Sequence, residues 1–412
     1  MKVLLIIGDG MSDRPTRVLN RQTPLQVAAT PALDEVARRG ICGIVDPIAP
    51  GIPPGSDTAF LALLGYDPYQ TYNGRGAYEA VGSGLEVREG DVAFRGNFAT
   101  IDDASVVVDR RAGRLQGGGK ALATTLNGLA LEGFPDVTIM VQHTVEYRLA
   151  LLLRGPHLSH KVSDSDPRLE HRLLQTTSAL DTSPEALRTA RLVNTLSQRA
   201  HELLTDHPIN VARRAAGLPP ANAILLRGAS TLPRVKPITE RYGIRALVIA
   251  AVALCRGVCK AVGFDVIDVP GATGTVETDA IAKAKAAVAH LPDYDYVLVH
   301  VKGTDNASHD GQAEQKVRVI EKIDALVQYL LDHVDLKQTV LAVTADHTTS
   351  FDLRKHMGDP VPLAIMGPGV RSDLVTTYSE AACAQGGLGR IRGMDVTSIL
   401  MDLAGHSTMY GS

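Results

Sequence analysis

Short apolar runs rich in valine, isoleucine and leucine recur along the chain, and most of them end at or run into glycine, aspartate or histidine. They occupy residues 3–7, 246–250, 296–300, 339–344 and 362–366. Unbroken runs of this length predict strands buried on both faces, the pattern of a parallel sheet. Helical periodicity lies between them. Residues 23–39 open with Thr23-Pro24, proline at the first helical position, and close on Gly40. Residues 312–334 place Val317, Ile320, Ile323, Val327 and Leu330 at helical spacing. Strand and helix in alternation predict an α/β domain with a doubly wound, mostly parallel sheet.

The middle of the chain breaks this rhythm. Residues 70–235 hold glycine-rich turns (Gly74, Gly76, Gly82, Gly84, Gly117-Gly118-Gly119), strand-like runs at 137–141 and 149–153, and a long polar helix over 183–205. The reading is an α+β lobe, 70–235, inserted into a discontinuous domain made of 1–69 and 236–412. With 412 residues, two domains are a reasonable count.

Composition mainly excludes. Hydrophobic residues are 45% and charged residues 21%, as in an ordinary globular protein. A net charge of -3 carries no nucleic-acid or membrane footprint. No apolar stretch approaches the roughly 20 residues a membrane helix needs. The first strand runs straight into Gly8-Asp9-Gly10, so the N-terminus does not read as a signal peptide. Cys42, Cys255, Cys259 and Cys383 fit no zinc spacing and read as core thiols. A cytoplasmic protein follows as the default, and a homo-oligomer stays open.

Chemistry gathers at the two ends of the chain. Asp9 directly follows the first strand, where open α/β sheets bind ligands. Ser56, after Pro53-Pro54-Gly55, opens a helix whose N-terminus favours an alkoxide or a phosphate. Near the other end, Asp305 and His309 lie one helical turn apart, Asp346-His347 ends a strand, and His356 follows. Any one of these could be a cap, a turn or a structural histidine. Together, hard carboxylates and borderline imidazoles at strand ends suit a two-metal hydrolytic or phosphoryl-transfer site with a serine nucleophile. The inserted lobe offers Arg75, Arg110, Arg111, Arg114, Arg148 and Arg227, and Arg256 lies where the chain returns, as forks for anionic groups.

The ordered motifs resemble a known family. They run from Gly8-Asp9-Gly10 through Gly55-Ser56-Asp57, Leu64-Gly65-Tyr66-Asp67-Pro68, Gly74-Arg75-Gly76-Ala77-Tyr78-Glu79-Ala80, Gly96-Asn97-Phe98-Ala99-Thr100 and Asp109-Arg110-Arg111-Ala112-Gly113-Arg114. They continue with Pro270-Gly271-Ala272-Thr273-Gly274, Thr344-Ala345-Asp346-His347, Gly358-Asp359-Pro360-Val361-Pro362 and Leu388-Gly389-Arg390-Ile391-Arg392-Gly393-Met394-Asp395. The chain is similar to the archaeal-type cofactor-independent phosphoglycerate mutases of the alkaline phosphatase superfamily over essentially its whole length.

That resemblance implies an alkaline-phosphatase-like fold and interconversion of 2- and 3-phosphoglycerate through phosphorylated Ser56, without 2,3-bisphosphoglycerate. It implies two divalent metals, manganese first, with zinc, cobalt or magnesium as alternatives. Asp9, Ser56, Asp346 and His347 would hold one; Asp305, His309 and His356 the other. Asp109 and His143 are candidates for the general base, and Arg75, Arg110, Arg111, Arg227 and Arg256 for substrate binding. The inserted lobe would act as a lid that keeps water from the phosphoserine. The competing reading is a metal-dependent phosphatase or phosphodiesterase using the same nucleophile. The chain has Lys302-Gly303-Thr304-Asp305 where the family commonly has Lys-Ala-Thr-Asp, and His160 where an acidic residue is expected.

Overall fold

The first apolar run forms the strand Lys2–Gly8, buried from Val3 onward, at the heart of an eight-stranded sheet in a computed structural model. The structure describes residues 1–409 and 411. The strand order is Asp265–Val266, Ala246–Ile249, Tyr296–Val301, Lys2–Gly8, Thr339–Ala345, Val361–Met366, Ile41–Asp46 and Gly389–Arg392. Lys2–Gly8 pairs in parallel with Tyr296–Val301 on one side and Thr339–Ala345 on the other. Their carboxyl ends therefore deliver Asp9, Lys302 and Asp346 to one edge of the sheet.

One strand corrects the expectation. Val361–Met366 runs antiparallel to both of its neighbours. It is buried throughout, so its apolar run looks like that of a parallel strand. The helix expected over 23–39 is two helices, Pro24–Val27 and Pro31–Arg39. Thr23 and Gln26 close a capping box on the first, and Pro31 starts the second because it cannot continue an existing turn.

Ala313–His333 also differs from its expected stripe. Its buried face carries Val319, Ile320, Ile323, Val327 and Leu330, with Lys316 in the core in place of Val317. Lys316 Nζ donates to Asp13 Oδ2 at 2.8 Å, Ser12 O at 3.1 Å and Thr349 O at 2.7 Å, which uses all three ammonium protons. It thereby clamps the loop after the first strand to the strand Thr348–Ser350, next to Asp346 and His347. Lys316→Met leaves Asp13 as an uncompensated buried charge, so a loss of about 3–5 kcal/mol is expected in urea unfolding. An unchanged midpoint would remove this clamp from the account.

The chain divides into two compact units, Met1–Thr71 with Val235–Ser412, and Tyr72–Arg234. The second unit, Tyr72–Arg234, lies in the chain between the two segments of the first. It contains a six-stranded sheet with all pairings antiparallel, centred on Val92–Ile101. Val92, Phe94 and Phe98 join one core with Leu192, Val193 and Leu196 of the helix Pro184–Thr205. Ala93 packs with Ala77 and Ala80 of the helix Gly76–Gly82 in another, and strand alternation puts Arg95 and Asn97 on that face. Among the described residues no helix is long and apolar enough to cross a membrane.

Candidate active site

Asp9, Ser56, Asp305, His309, Asp346, His347 and His356 converge in the first unit. Ser56 is the first residue of the helix Ser56–Leu63, with Gly55 as its N-cap, so its hydroxyl is not spent on capping. Ser56 Oγ lies 3.1 Å from His347 Nε2, 291 residues away in the chain. His347 Nε2 is also 3.5 Å from Asp9 Oδ1 and 3.3 Å from Asp346 Oδ2. Asp305 and His309 share a face of the helix Gly303–His309, and Asp305 Oδ1 lies 3.4 Å from His309 Nε2 and 3.3 Å from His356 Nε2.

The hydrogen bonds behind these groups fix which atoms are bare. His309 Nδ1 lies 2.8 Å from Arg354 O and His356 Nδ1 lies 2.7 Å from Pro54 O. Only an N–H can satisfy a carbonyl, so both Nδ1 atoms are donors. In the neutral rings both Nε2 atoms then carry lone pairs, yet they sit 3.3 Å apart and both face Asp305 Oδ1. Two lone pairs and a carboxylate oxygen aimed at one point repel unless a cation lies among them. Asp346 adds a second sign: Oδ1 accepts from Gly10 N and His347 N, while buried Oδ2 has no hydrogen-bond partner. The residues present fit two divalent cations, and their backing by carbonyls and hydroxyls is what metal ligands need.

Gly10 is required here by space and by backbone. At φ 60° a Cβ would fall on Thr349 Oγ1 and come 3.0 Å from Asp305 Oδ1. Thr349 Oγ1 itself donates to Asp305 Oδ1 at 2.9 Å and lies 2.9 Å from His347 Nδ1, linking the two groups of ligands.

Charge supports the same arrangement. Burial would raise Asp9, but the Lys302 ammonium and a hydrogen bond from His300 overcome it and hold Asp9 at about 2. Burial and the charge of Asp9 push Asp346 well above the usual carboxylate range. Burial, then the neighbouring His356, drives His347 down to about 3. The hydrogen bond to Asp305 raises His309 against its burial. Without a cation, then, protons serve as counter-charge; a divalent ion would displace them. Lys302 Nζ sits between the two ligand groups, 2.8 Å from Asp9 Oδ1 and 2.7 Å from Asp305 Oδ2.

The inserted unit holds most of the expected arginines, many of them already engaged. Arg110 places Nε and Nη2 on Asp166 at 2.9 and 2.6 Å, and Arg227 lies 3.8 Å from the same carboxylate. Asp109 accepts from Arg111 N and Gly113 N, so it shapes its own turn. Asp109, Arg110, Arg111, Arg114 and Arg168 line a cleft of about 370 Å³. Ala112, Arg114 and Arg168 on and beside its wall hold left-handed backbone, with φ of 45°, 54° and 60°. His143 Nε2 lies 2.7 Å from Glu146 O. Arg75 directly precedes the helix Gly76–Gly82. Arg256 belongs to the first unit, where its Nη1 pairs with Asp268 at 2.6 Å.

Several residues escaped the sequence reading. Lys302 is one; its place three residues before Asp305, straight after a strand, is the signal the sequence offers. Thr304 Oγ1 donates to Asp9 O in a short hydrogen bond. Arg95 faces Arg227 across paired strands, with Glu79 3.5 Å away. Burial, together with Arg148, Arg227 and Arg75, lowers Arg95 to about 9 despite Glu79.

The chain is similar to known proteins over essentially its whole length. Residues 1–403 match the Metalloenzyme superfamily. The chain is 47% identical over 418 residues to 2,3-bisphosphoglycerate-independent phosphoglycerate mutase 1 of Methanothermobacter thermautotrophicus, covering 100% of both. It is 48% identical over 416 residues to the mutase of Ignicoccus hospitalis, covering 100% of this chain and 99% of that one. Among solved structures, a protein from Pyrococcus horikoshii matches with a TM-score of 0.87 at 40% identity, covering 100% and 99%. The cofactor-independent phosphoglycerate mutase of Thermoplasma acidophilum matches at 0.71 and 37%, covering 98% and 100%. Superfamily and donor set agree on the use of divalent metal. The chain belongs to the 2,3-bisphosphoglycerate-independent phosphoglycerate mutases, within the metalloenzyme superfamily.

Proposed function

We propose that this protein interconverts 2-phosphoglycerate and 3-phosphoglycerate through a phosphoserine at Ser56, without 2,3-bisphosphoglycerate. The observation that carries the mechanism is Ser56 Oγ at the start of a buried helix, 3.1 Å from His347, inside a cluster of bare ligand atoms. Asp9, Ser56, Asp346 and His347 would hold one cation, and Asp305, His309 and His356 the other. Bound there, divalent ions would supply Lewis-acid stabilisation of phosphoryl oxygens and of the serine alkoxide. Mixed carboxylate and imidazole donors suit manganese, with zinc, cobalt or magnesium as substitutes.

The chain's own groups supply the rest. The Ser56 Oγ–P bond forms as the bond from phosphorus to a glycerate hydroxyl oxygen breaks, and the serine's proton ends on that oxygen. Transfer back to the other hydroxyl of the retained glycerate completes the isomerisation. The N-terminus of the Ser56–Leu63 helix and the Lys302 ammonium favour the anionic group. Asp109 and His143 are the groups proposed to pass the proton between the two hydroxyls. Arg75, Arg110, Arg111 and Arg227 are proposed to hold the carboxylate and phosphate. Arg110 would do so while anchored by Asp166, which fixes its fork in advance, with Arg227 3.8 Å from the same carboxylate. Arg256, paired with Asp268, is proposed to approach the phosphate from the first unit. A cytoplasmic enzyme acting on a small molecule, monomeric or a homo-oligomer, fits this reading.

Incubating the protein with 3-phosphoglycerate and Mn2+ tests it. The expected product is 2-phosphoglycerate with no release of phosphate; free phosphate without 2-phosphoglycerate would establish a phosphatase instead.

A further inference from the structure

Beneath Asp9 lies a buried group that the proposed chemistry does not use. His300, at the penultimate position of the strand Tyr296–Val301, has no exposed surface. Its Nε2 lies 2.8 Å from Asp9 Oδ2. The other oxygen, Asp9 Oδ1, turns to Lys302 Nζ and His347 Nε2. The two oxygens are thus divided, one held from below and one offered to the ligand cluster. An Nε2–H donor accounts for the first contact and leaves Nδ1 bare, and Nδ1 has no partner among the described residues.

The ring is wedged in place. Phe60 packs against it in a T-shaped pair, with centroids 5.3 Å apart and planes at 81°. Phe60 lies one helical turn after Ser56 on the same helix. Cys255 Sγ lies 3.9 Å from Nε2, and buried Lys283 Nζ donates to the His300 backbone oxygen at 2.7 Å. The trio Asp9, Cys255 and His300 has the residue types of a metal site. Its 2.8 Å nitrogen–oxygen contact is, however, an ordinary charge-assisted hydrogen bond.

We propose that His300 is a positioning residue: its Nε2–H fixes the Asp9 carboxylate so that Oδ1 faces the catalytic cations, and Phe60 ties that setting to the helix that bears Ser56. This rests on the two-cation reading of the site. Outer groups that orient a ligand typically contribute 10–100-fold to metal affinity.

Calorimetric titration of Mn2+ into chelator-stripped protein tests it, with the thermal midpoint of each stripped protein as a check on folding. His300→Leu is expected to bind one of two ions about 10–100-fold more weakly than wild type. His300→Gln, whose amide N–H reaches the place of Nε2–H, is expected to recover most of that affinity. His300→Asn, which stops short of it, is expected to stay weak, and it serves where the leucine variant does not fold. Wild-type affinity in the leucine or asparagine variant would overturn the proposal. Equal losses in the glutamine and asparagine variants would also overturn it, because packing rather than the hydrogen bond would then be responsible. A third tightly bound ion lost only with His300 would make the trio itself a metal site. Wild-type protein that binds no Mn2+ would instead bring down the two-cation reading, a distinct result.

Discussion

The Ser56→Ala protein is expected to interconvert 2- and 3-phosphoglycerate at least ~10^4-fold more slowly than wild type, the scale lost when a covalent nucleophile is removed. Ser56 is set at the first helical residue by the Gly55 cap, which holds its hydroxyl beside His347. The fold should tolerate the change. Alanine favours a helix more than serine does, and losing one net hydrogen bond costs about 1 kcal/mol. Unfolding midpoints and substrate binding therefore separate a missing nucleophile from a damaged protein. Brief incubation with phosphate-labelled 3-phosphoglycerate should label the wild-type chain and leave Ser56→Ala unlabelled. A variant that kept more than a few per cent of wild-type turnover, or that still took up label, would remove Ser56 from the phosphoryl path.

What could be read in advance followed from local pattern. The runs that became Lys2–Gly8, Tyr296–Val301 and Thr339–Ala345 are buried on both faces, so they stay apolar throughout and end where backbone must meet solvent or ligand. Each strand end then carried a ligand residue type, and the coincidence of several pointed to metal. What could not be read depended on contacts between distant segments. Val361–Met366 has the composition of its parallel neighbours, and direction leaves no mark on a fully buried strand. Asp166, the partner of Arg110, lies 56 residues away on an irregular segment, so nothing near Arg110 announced that one side of its fork was taken. His300 reads as the polar end of an apolar run, and only the register against Ile7 puts its ring beneath Asp9. Lys316 sits at the right helical spacing to be buried, but a lysine is assigned to the surface unless its partners are known.

Stripping divalent cations should reduce activity by ~10^3-fold or more, since Lewis-acid stabilisation of phosphoryl oxygens is worth several kcal/mol. The ligand atoms themselves give the reason. His309 and His356 turn bare Nε2 atoms toward each other and toward Asp305, and Asp346 Oδ2 is buried without a partner. Such a cluster gains from a cation and is left with protons or mutual repulsion when the cation goes. The loss should come in two steps. The His309 side chain is 42% exposed and that of His356 23%, whereas Asp9, Asp346 and His347 have no exposed side-chain surface. Water and chelator can therefore reach the Asp305, His309 and His356 group first. In a chelator titration, one ion should leave readily with most of the activity, while the second persists and keeps the fold stabilised. Refilling with Mn2+ should restore turnover and raise unfolding stability by about 2.7 kcal/mol per site at a hundredfold excess over Kd. His309→Ala should weaken the first ion and spare the second, and Asp346→Ala should do the reverse. Activity indifferent to chelation, or one ion binding per chain, would contradict the assignment of these seven residues to two cations.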